Sequence, residues 1–319
     1  MGAVPPLLVI TNADAGTADE TALEAALAVL RPAAEVDVAA TSSPDELDSV
    51  LAGAPADCRI VVAGGDGSIH AVVAALHRRG DLQGREIALV PLGTGNDFVR
   101  GLGLPLEPDQ AAQVVLDGHA HPVDLVVDQE GGITVNAVHV GAGADAGERG
   151  ARWKSRLGAI GIGRLNLGKL GYPIGALQTA FNPPSIRVRV EVDGELVTDV
   201  DTEVLMVAIG NGPSVGGGTE LAPDADPHDG MVDVVVAAPA GLADRVALGL
   251  RLPFGRHEDH RTVQALRGRS VSVSGSPFRC NSDGEIDGPV GRRSWEVLPA
   301  AYSVILPVAR ESESADPGN

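Results

Sequence analysis

Two glycine-rich segments hold the residues of this chain best suited to chemistry: Gly64-Gly65-Asp66-Gly67-Ser68 and Gly93-Thr94-Gly95-Asn96-Asp97. Each follows a short apolar run, Arg59–Ala63 or Ile87–Pro91, that reads as a β-strand, and the first leads into a stretch with helical apolar spacing. A strand, a glycine turn and a helix start leave bare backbone N–H groups aimed at one spot, where an anion is favoured. Glycine suits such a turn because a Cβ would block close approach. Two turns about 30 residues apart bring neighbouring strand ends to one shared polyphosphate site. The ligand they imply is a nucleotide, and the chemistry that of a kinase. Ser68, Thr94 and Asn96 supply donors, and Asp97 can cap the turn that follows. Asp66 cannot attract phosphate, so it fits a different job: orienting a Mg²⁺-bound water or a loop hydrogen bond. No Gly-Lys-Ser/Thr sequence is present, which disfavours a Walker-type nucleotide site.

The elements around these turns alternate. Leu7–Thr11, Glu35–Ala39, 59–63 and 87–91 read as strands; 19–30, a stretch opening at Ser43, 68–79 and 108–117 read as helices. Ser43-Pro44-Asp45-Glu46 has the form of a capping box. This βα alternation predicts a doubly wound nucleotide-binding α/β domain with a parallel sheet, and such sheets bind ligands at the carboxyl ends of their strands. After about Pro122, strand-like runs follow one another at 123–128, 133–140, 186–192, 203–209, 231–237, 269–274 and 294–298, which predicts an antiparallel β-sandwich. Asp193-Gly194 between two of them is a hairpin signal. The domain expectation is 1–122 with a returning segment at about 299–309, then 123–298, then a disordered acidic tail at 311–319.

The chain has 319 residues, 44% hydrophobic and 21% charged, with two cysteines and a net charge of −19. Nucleic acid is excluded as a partner by that charge. Two cysteines fit a reducing cytoplasm, the opening residues do not read as a leader, and the sequence holds no run of about 18 apolar residues. Residues 1–148 carry 6 bases against 22 acids, yet 149–190 carry eight bases and no acid, including both lysines, Lys154 and Lys169. Such a stretch could face anionic lipid headgroups, with Trp153 as an interfacial anchor, or pair with acids of the other domain. The turn with Asp224, Asp226 and Asp229 offers oxygen ligands for a hard cation, or is a solvated acidic turn.

Val61–Ser68 with Pro91–Phe98 resembles the diacylglycerol kinase catalytic family, which includes sphingosine kinases and bacterial soluble lipid kinases. Ile209–Gly218, Pro223-Asp224-Ala225, Asp229-Gly230 and Asn281-Ser282-Asp283-Gly284-Glu285 continue the resemblance in family order. It implies an ATP- and Mg²⁺-dependent lipid kinase, cytoplasmic and peripherally membrane-associated, with a homodimer left open. Asp283 resembles the general base for the lipid hydroxyl, and Glu285 its nucleotide-side companion. Asp97 and Asp145 fall at positions near the substrate. A structural Mg²⁺ is implied at Asp229, with the Asp226 and Met231 carbonyls and, through water, Asp124. Asn12, Gly16 and Thr17 stand where the family's first phosphate loop lies, although its proline is missing and Asp14 adds a negative charge. Relatives often carry an Asn-Glu pair where this chain has His70-Ala71. The competing readings are an NAD kinase-like enzyme of the same fold superfamily, which leaves Asp283-Gly284-Glu285 unexplained, and a non-catalytic nucleotide- or lipid-binding regulator.

Overall fold

The parallel sheet expected of the first 120 residues is built from β1 (Leu7–Asn12), β2 (Val36–Thr41), β3 (Arg59–Gly64) and β4 (Glu86–Pro91), in the order β2-β1-β3-β4. The structure, a computed structural model, describes residues 4–13, 16–93, 95–141, 185–251 and 257–308. Asp14, Thr94, Asp145, Trp153, the tail at 311–319 and all of the basic stretch except 185–190 lie outside the described residues.

Side-chain alternation along the strands feeds two cores. Leu7, Val9, Val61, Ala63, Ala88 and Val90 pack beneath α1 (Thr17–Leu30) on one face. Leu8, Ile10, Ile60, Val62, Ile87 and Leu89 pack on the other, beneath α2 (Pro44–Gly53) and α3 (Asp66–Arg79). A one-turn helix, α4 (Asp97–Gly101), and α5 (Pro108–Asp117) follow, and α5 lies against α1. At the start of α2 the Ser43 hydroxyl accepts from Glu46 N at 3.3 Å, with Pro44 in the first turn. The Glu46 carboxylate reaches back one residue further than a reciprocal box requires, accepting from the N–H and hydroxyl of Ser42 at 2.7 and 2.8 Å.

The second half runs β5 (His119–Asp128), β6 (Ile133–Thr134), β7 (Ala137–Gly141), β8 (Ile186–Val192), β9 (Glu195–Thr198), β10 (Glu203–Val204), β11 (Met206–Gly210), β12 (Ser214–Val215), β13 (Thr219–Glu220), β14 (Val232–Ala237), α6 (Leu242–Arg251), β15 (Val263–Gly268), β16 (Ser270–Ser282) and β17 (Glu285–Leu306). Asp193 and Gly194 join β8 to β9 with φ of +50° and +81°, the backbone that a two-residue hairpin needs. Layers are made by strands that change partners. The first part of β16 pairs with β8 (Val271 opposite Val192) and the second with β7 (Cys280 opposite Val140), with register shifts between Ser274 and Cys280. A valine-rich core with Phe278 and Trp295 fills the space between the layers.

β17 is 22 residues long and runs through both halves. Its early part pairs with β16, while Ser303 and Val304 lie parallel to Glu86 and Ile87 of β4. β5 follows it antiparallel, from Trp295 opposite Asp128 to Leu306 opposite His119. A buried guanidinium secures the strand: Arg293, 5% exposed, pairs with Asp128 at 2.5 Å and with Asp287.

Candidate active site

The carboxyl ends of β3 and β4 lie side by side, with Gly64 opposite Pro91 and the Gly64 carbonyl accepting from Leu92 N at 3.1 Å. Both glycine turns therefore leave the sheet at the same edge, and they touch. A Cβ on Gly93 would fall 2.8 Å from the Gly65 Cα, so only glycine allows this approach. Gly65 caps α3 without a side-chain hydrogen bond, and its carbonyl accepts from Ser68 N at 3.0 Å and Ile69 N at 3.2 Å. Gly67 has open space around it, and Ser68 lies one residue further along. β1 pairs with β3 up to Thr11 opposite Ala63, which brings Asn12, Gly16 at the start of α1, and Thr17 to the same edge.

Asp66 welds the two turns together. Its carboxylate accepts from the N–H groups of Asp97 (3.0 Å) and Phe98 (3.1 Å), capping α4 from another helix. Burial raises the Asp66 carboxyl above the ordinary range, against the pull of those two N–H groups. A Cβ on Gly95 would meet the same carboxylate at 3.1 Å. Asn96 adopts φ +54° and donates to the Gly93 carbonyl at 2.7 Å, which leaves its Oδ1 buried with no partner among the described residues.

Asp97 is 4% exposed and tied to the second half. It accepts from Gly217 N (2.7 Å) and Gly218 N (2.6 Å), lies 3.4 Å from the Ser214 hydroxyl, and has the Arg100 guanidinium at 3.5 Å. The position expected to meet substrate thus holds the loop between β12 and β13 against α4.

Asp283 sits at the β16–β17 turn with φ +51°. Its Oδ1 accepts from Asn136 N and Ala137 N, both at 3.0 Å, and its Oδ2 from Val135 N at 2.7 Å. His70 Nδ1 lies 2.9 Å from the same Oδ2. These bonds divide the strand expected over 133–140 into β6 and β7, because three successive N–H groups turn to the carboxylate. The Asp283 side chain is 1% exposed, whereas His70 is 19% exposed and Glu285 stands in solvent. On β7, His139 is pushed by burial down to about 4, opposed by the Asp283 charge.

The residues implied for a structural Mg²⁺, Asp124, Asp226, Asp229 and Met231, cluster where the two halves meet. Asp124 is 2% exposed and accepts from Gly230 N (2.6 Å) and Ala300 N (2.7 Å). Asp229 pairs with Arg267 and accepts from Met231 N at 2.9 Å, and Asp226 accepts from His228 N at 3.1 Å. Among the described residues no three acids, histidines or cysteines converge as ligands. The guanidinium of Arg267 pairs with Asp229 of this acidic turn and lies 3.4 Å from Asp233.

Sequence reasoning attached no role to His70 beyond its departure from the common pattern, and none to Arg267 or to Asn136 and Asn211. The two asparagines are buried: Asn211 donates to the carbonyls of Asp124 and Val135, and Asn136 to that of Ser214. Their partners lie 76 to 87 residues away, and the sequence marked Asn211 only as part of Ile209–Gly218, one of the segments that carry the family resemblance.

A parallel sheet ending in paired glycine turns, closed by an antiparallel second half, defines a kinase-type nucleotide fold. The chain belongs to the diacylglycerol kinase catalytic family. Residues 6–127 match the diacylglycerol kinase catalytic domain and 139–306 the YegS C-terminal NAD kinase beta sandwich-like domain. It is 32% identical over 227 residues to a diacylglycerol kinase of Bacillus subtilis (strain 168), covering 70% of each chain. It is 31% identical over 256 residues to a "Probable lipid kinase YegS-like" of Xanthomonas oryzae pv. oryzae, covering 76% of this chain and 77% of the relative. A solved structure from Bacillus anthracis str. Sterne superposes with TM-score 0.75 at 23% identity, covering 97% of this chain and 100% of that one. That likeness carries the fold alone. No helix among the described residues is long and apolar enough to cross a membrane.

Proposed function

We propose that this chain transfers the γ-phosphoryl group of ATP to a hydroxyl of a diacylglycerol-like or sphingoid-like lipid at a membrane surface. The observation that carries the reading is the contact between the two glycine turns, held by Asp66, which concentrates backbone N–H groups at one sheet edge. Phosphates would lie against Gly64–Ser68 and Gly93–Asn96, with Asn12, Gly16 and Thr17 along the same edge. Kinase chemistry is mostly positioning and charge stabilisation. When bound with ATP, Mg²⁺ neutralises charge on the transferring group. The chain's own part is to hold the phosphates on backbone donors and to bring the β16–β17 turn against α3. Lipid would enter over the second half, with the basic stretch of 149–190 drawing the protein to anionic headgroups.

The test is transfer of radiolabelled phosphate from ATP to a mixed lipid extract in detergent micelles with Mg²⁺, comparing wild type with Asp283→Ala. A labelled lipid that is lost in the variant supports the reading, and chromatography then identifies the lipid. Labelled NAD in place of lipid would turn the reading to the NAD kinase-like alternative, which the description of the matching C-terminal family brings to mind only through its sandwich. Nucleotide binding without turnover would make the chain a regulator.

A further inference from the structure

Helix α6 presents an apolar face to solvent, where a surface helix ordinarily places its charges. At about 100° per residue, positions 243, 246 and 250 fall on one side of it and positions 244 and 248 on the other. The first side is exposed: Ala243, Val246 at 38% and Leu250 at 68%. The second side is buried, with Leu248 in one core cluster with Leu221, Ala222, Val235 and Val263. The acid of the helix also faces that way. Asp244 is buried, and accepts from Ala240 N at 3.2 Å and from the Arg261 guanidinium at 3.0 Å. Among the described residues, Val246 and Leu250 are the only large apolar side chains left exposed that share a helix. Single exposed apolar residues are ordinary; a spaced set on one face marks an interaction surface.

Bases border this face. Arg251 ends the helix in solvent, Arg261 is 78% exposed while it covers Asp244, and Arg245 stands half-buried on the flank. On the segment leading to β15, Asp259 is exposed and Glu258 half-buried. Glu203 on β10, close enough to feel Arg245, is paired with Arg187 at 3.0 Å. Three guanidiniums thus gather here in a chain whose net charge is −19. The buried side links α6 to the candidate site. Leu221, in the same cluster as Leu248, donates its N–H to the Pro213 carbonyl at 3.0 Å. The β12–β13 loop between those two residues is held to α4 by Asp97.

From this arrangement we infer that the outer face of α6 docks on a membrane: Ala243, Val246 and Leu250 enter the headgroup boundary, and Arg251 and Arg261 meet anionic phosphates beside them. The inference rests on the lipid-kinase reading above and deepens it, by naming the element that seats the second half on the surface holding the acceptor. A second copy of the chain would set this basic flank against itself, so an anionic bilayer is the occupant the charges favour.

The test is co-sedimentation of the full chain with vesicles of phosphatidylcholine, with and without phosphatidylglycerol. Wild type should bind the mixed vesicles. The double variant Val246→Ser/Leu250→Ser should weaken that binding about tenfold or more, and Arg251→Gln about fivefold. These positions are exposed, so thermal unfolding should stay at the wild-type value. Leu250→Cys gives a second readout, because Cys58 and Cys280 are buried and leave the new thiol to be labelled. An environment-sensitive fluorophore there should shift to the blue when mixed vesicles are added. Wild type that does not sediment overturns the inference, and so does a fluorophore that stays in water while wild type sediments. Wild-type binding in Val246→Ser/Leu250→Ser, with the loss found instead in Lys154→Gln/Lys169→Gln, overturns it in favour of the basic stretch. A changed oligomeric state in Val246→Ser/Leu250→Ser with unchanged vesicle binding overturns it in favour of an interface between copies. Phosphate transfer to lipid in micelles is measured alongside. Transfer in a chain that fails these docking tests leaves the lipid-kinase reading standing. Docking through α6 in a chain that labels only NAD keeps the membrane face and removes that reading.

Discussion

Replacing Gly93 with alanine tests the contact between the two turns directly. The added Cβ would fall 2.8 Å from the Gly65 Cα, and the atom it meets is backbone, which cannot swing aside. Carbon atoms rest about 3.5–4.0 Å apart, so the turns must part by roughly 1 Å. A misplacement of about 1 Å costs on the order of 100-fold in a reaction that depends on positioning. The displacement also pulls on Asp66, whose bonds to Asp97 N and Phe98 N span the same gap. The assay is the initial rate of phosphoryl transfer and nucleotide affinity for Gly93→Ala, beside its thermal unfolding. Gly53→Ala, at a helix end with nothing within 4 Å of the new Cβ, serves as the control. Gly67→Ala separates protein from ligand: among the described residues no atom beyond its chain neighbours and its own helix backbone lies within 4 Å of the new Cβ, so loss of nucleotide affinity there is assigned to the bound phosphate. Wild-type rates and affinity in Gly93→Ala would refute the shared polyphosphate site.

Four further outcomes are expected. Asp97→Ala leaves Gly217 N and Gly218 N without their acceptor, and should lower the free energy of unfolding by about 3 kcal/mol in denaturant titrations. Arg293→Ala takes the ionic partner from the half-buried Asp128, which keeps only its bonds from Glu130 N and Gly132 N, and should cost about 3 kcal/mol in the same measurement. Burial holds His139 down to about 4 against an unfolded value of 6.5, so its contribution is present above pH 6.5 and is lost as pH falls towards 4. His139→Gln should flatten that part of a stability–pH curve. Asp66 has the opposite sign, because its raised carboxyl makes the native state hold a proton that the unfolded chain has released. Wild type should therefore gain stability relative to Asp66→Asn as pH falls into the carboxylate range, and a constant difference across pH would contradict the burial.

The local rules were readable wherever a local cause sufficed. Continuous apolar runs at 60–63 and 87–91 marked β3 and β4, because both faces of that sheet are covered. The Asp193-Gly194 turn and the Ser43 cap needed only their own neighbours. The split between β6 and β7 was not readable, since its cause is a carboxylate 146 to 148 residues away. Nor was the full run of β17. Pro299-Ala300 looks like the end of the strand at 294–298, yet the chain passes through it with Ala300 at φ +50° and its N–H held by Asp124. The glycine turns were legible as a phosphate site because glycine spacing is a backbone property. The place of His70 beside Asp283 depends on how β16 and β17 fold back, and nothing near residue 70 records that.

The length of β17 bears on how the chain is made. The strand that flanks β4 is made long after it, since Ser303 pairs with Glu86 across more than 200 residues of intervening chain. During translation the first half must wait with an open sheet edge, the kind of edge that recruits other strands. Removing residues after about 298 would leave that edge open permanently. A truncated first half should therefore aggregate rather than fold as an independent unit, and synthesis slowed near the C-terminus should raise the chain's demand for chaperones.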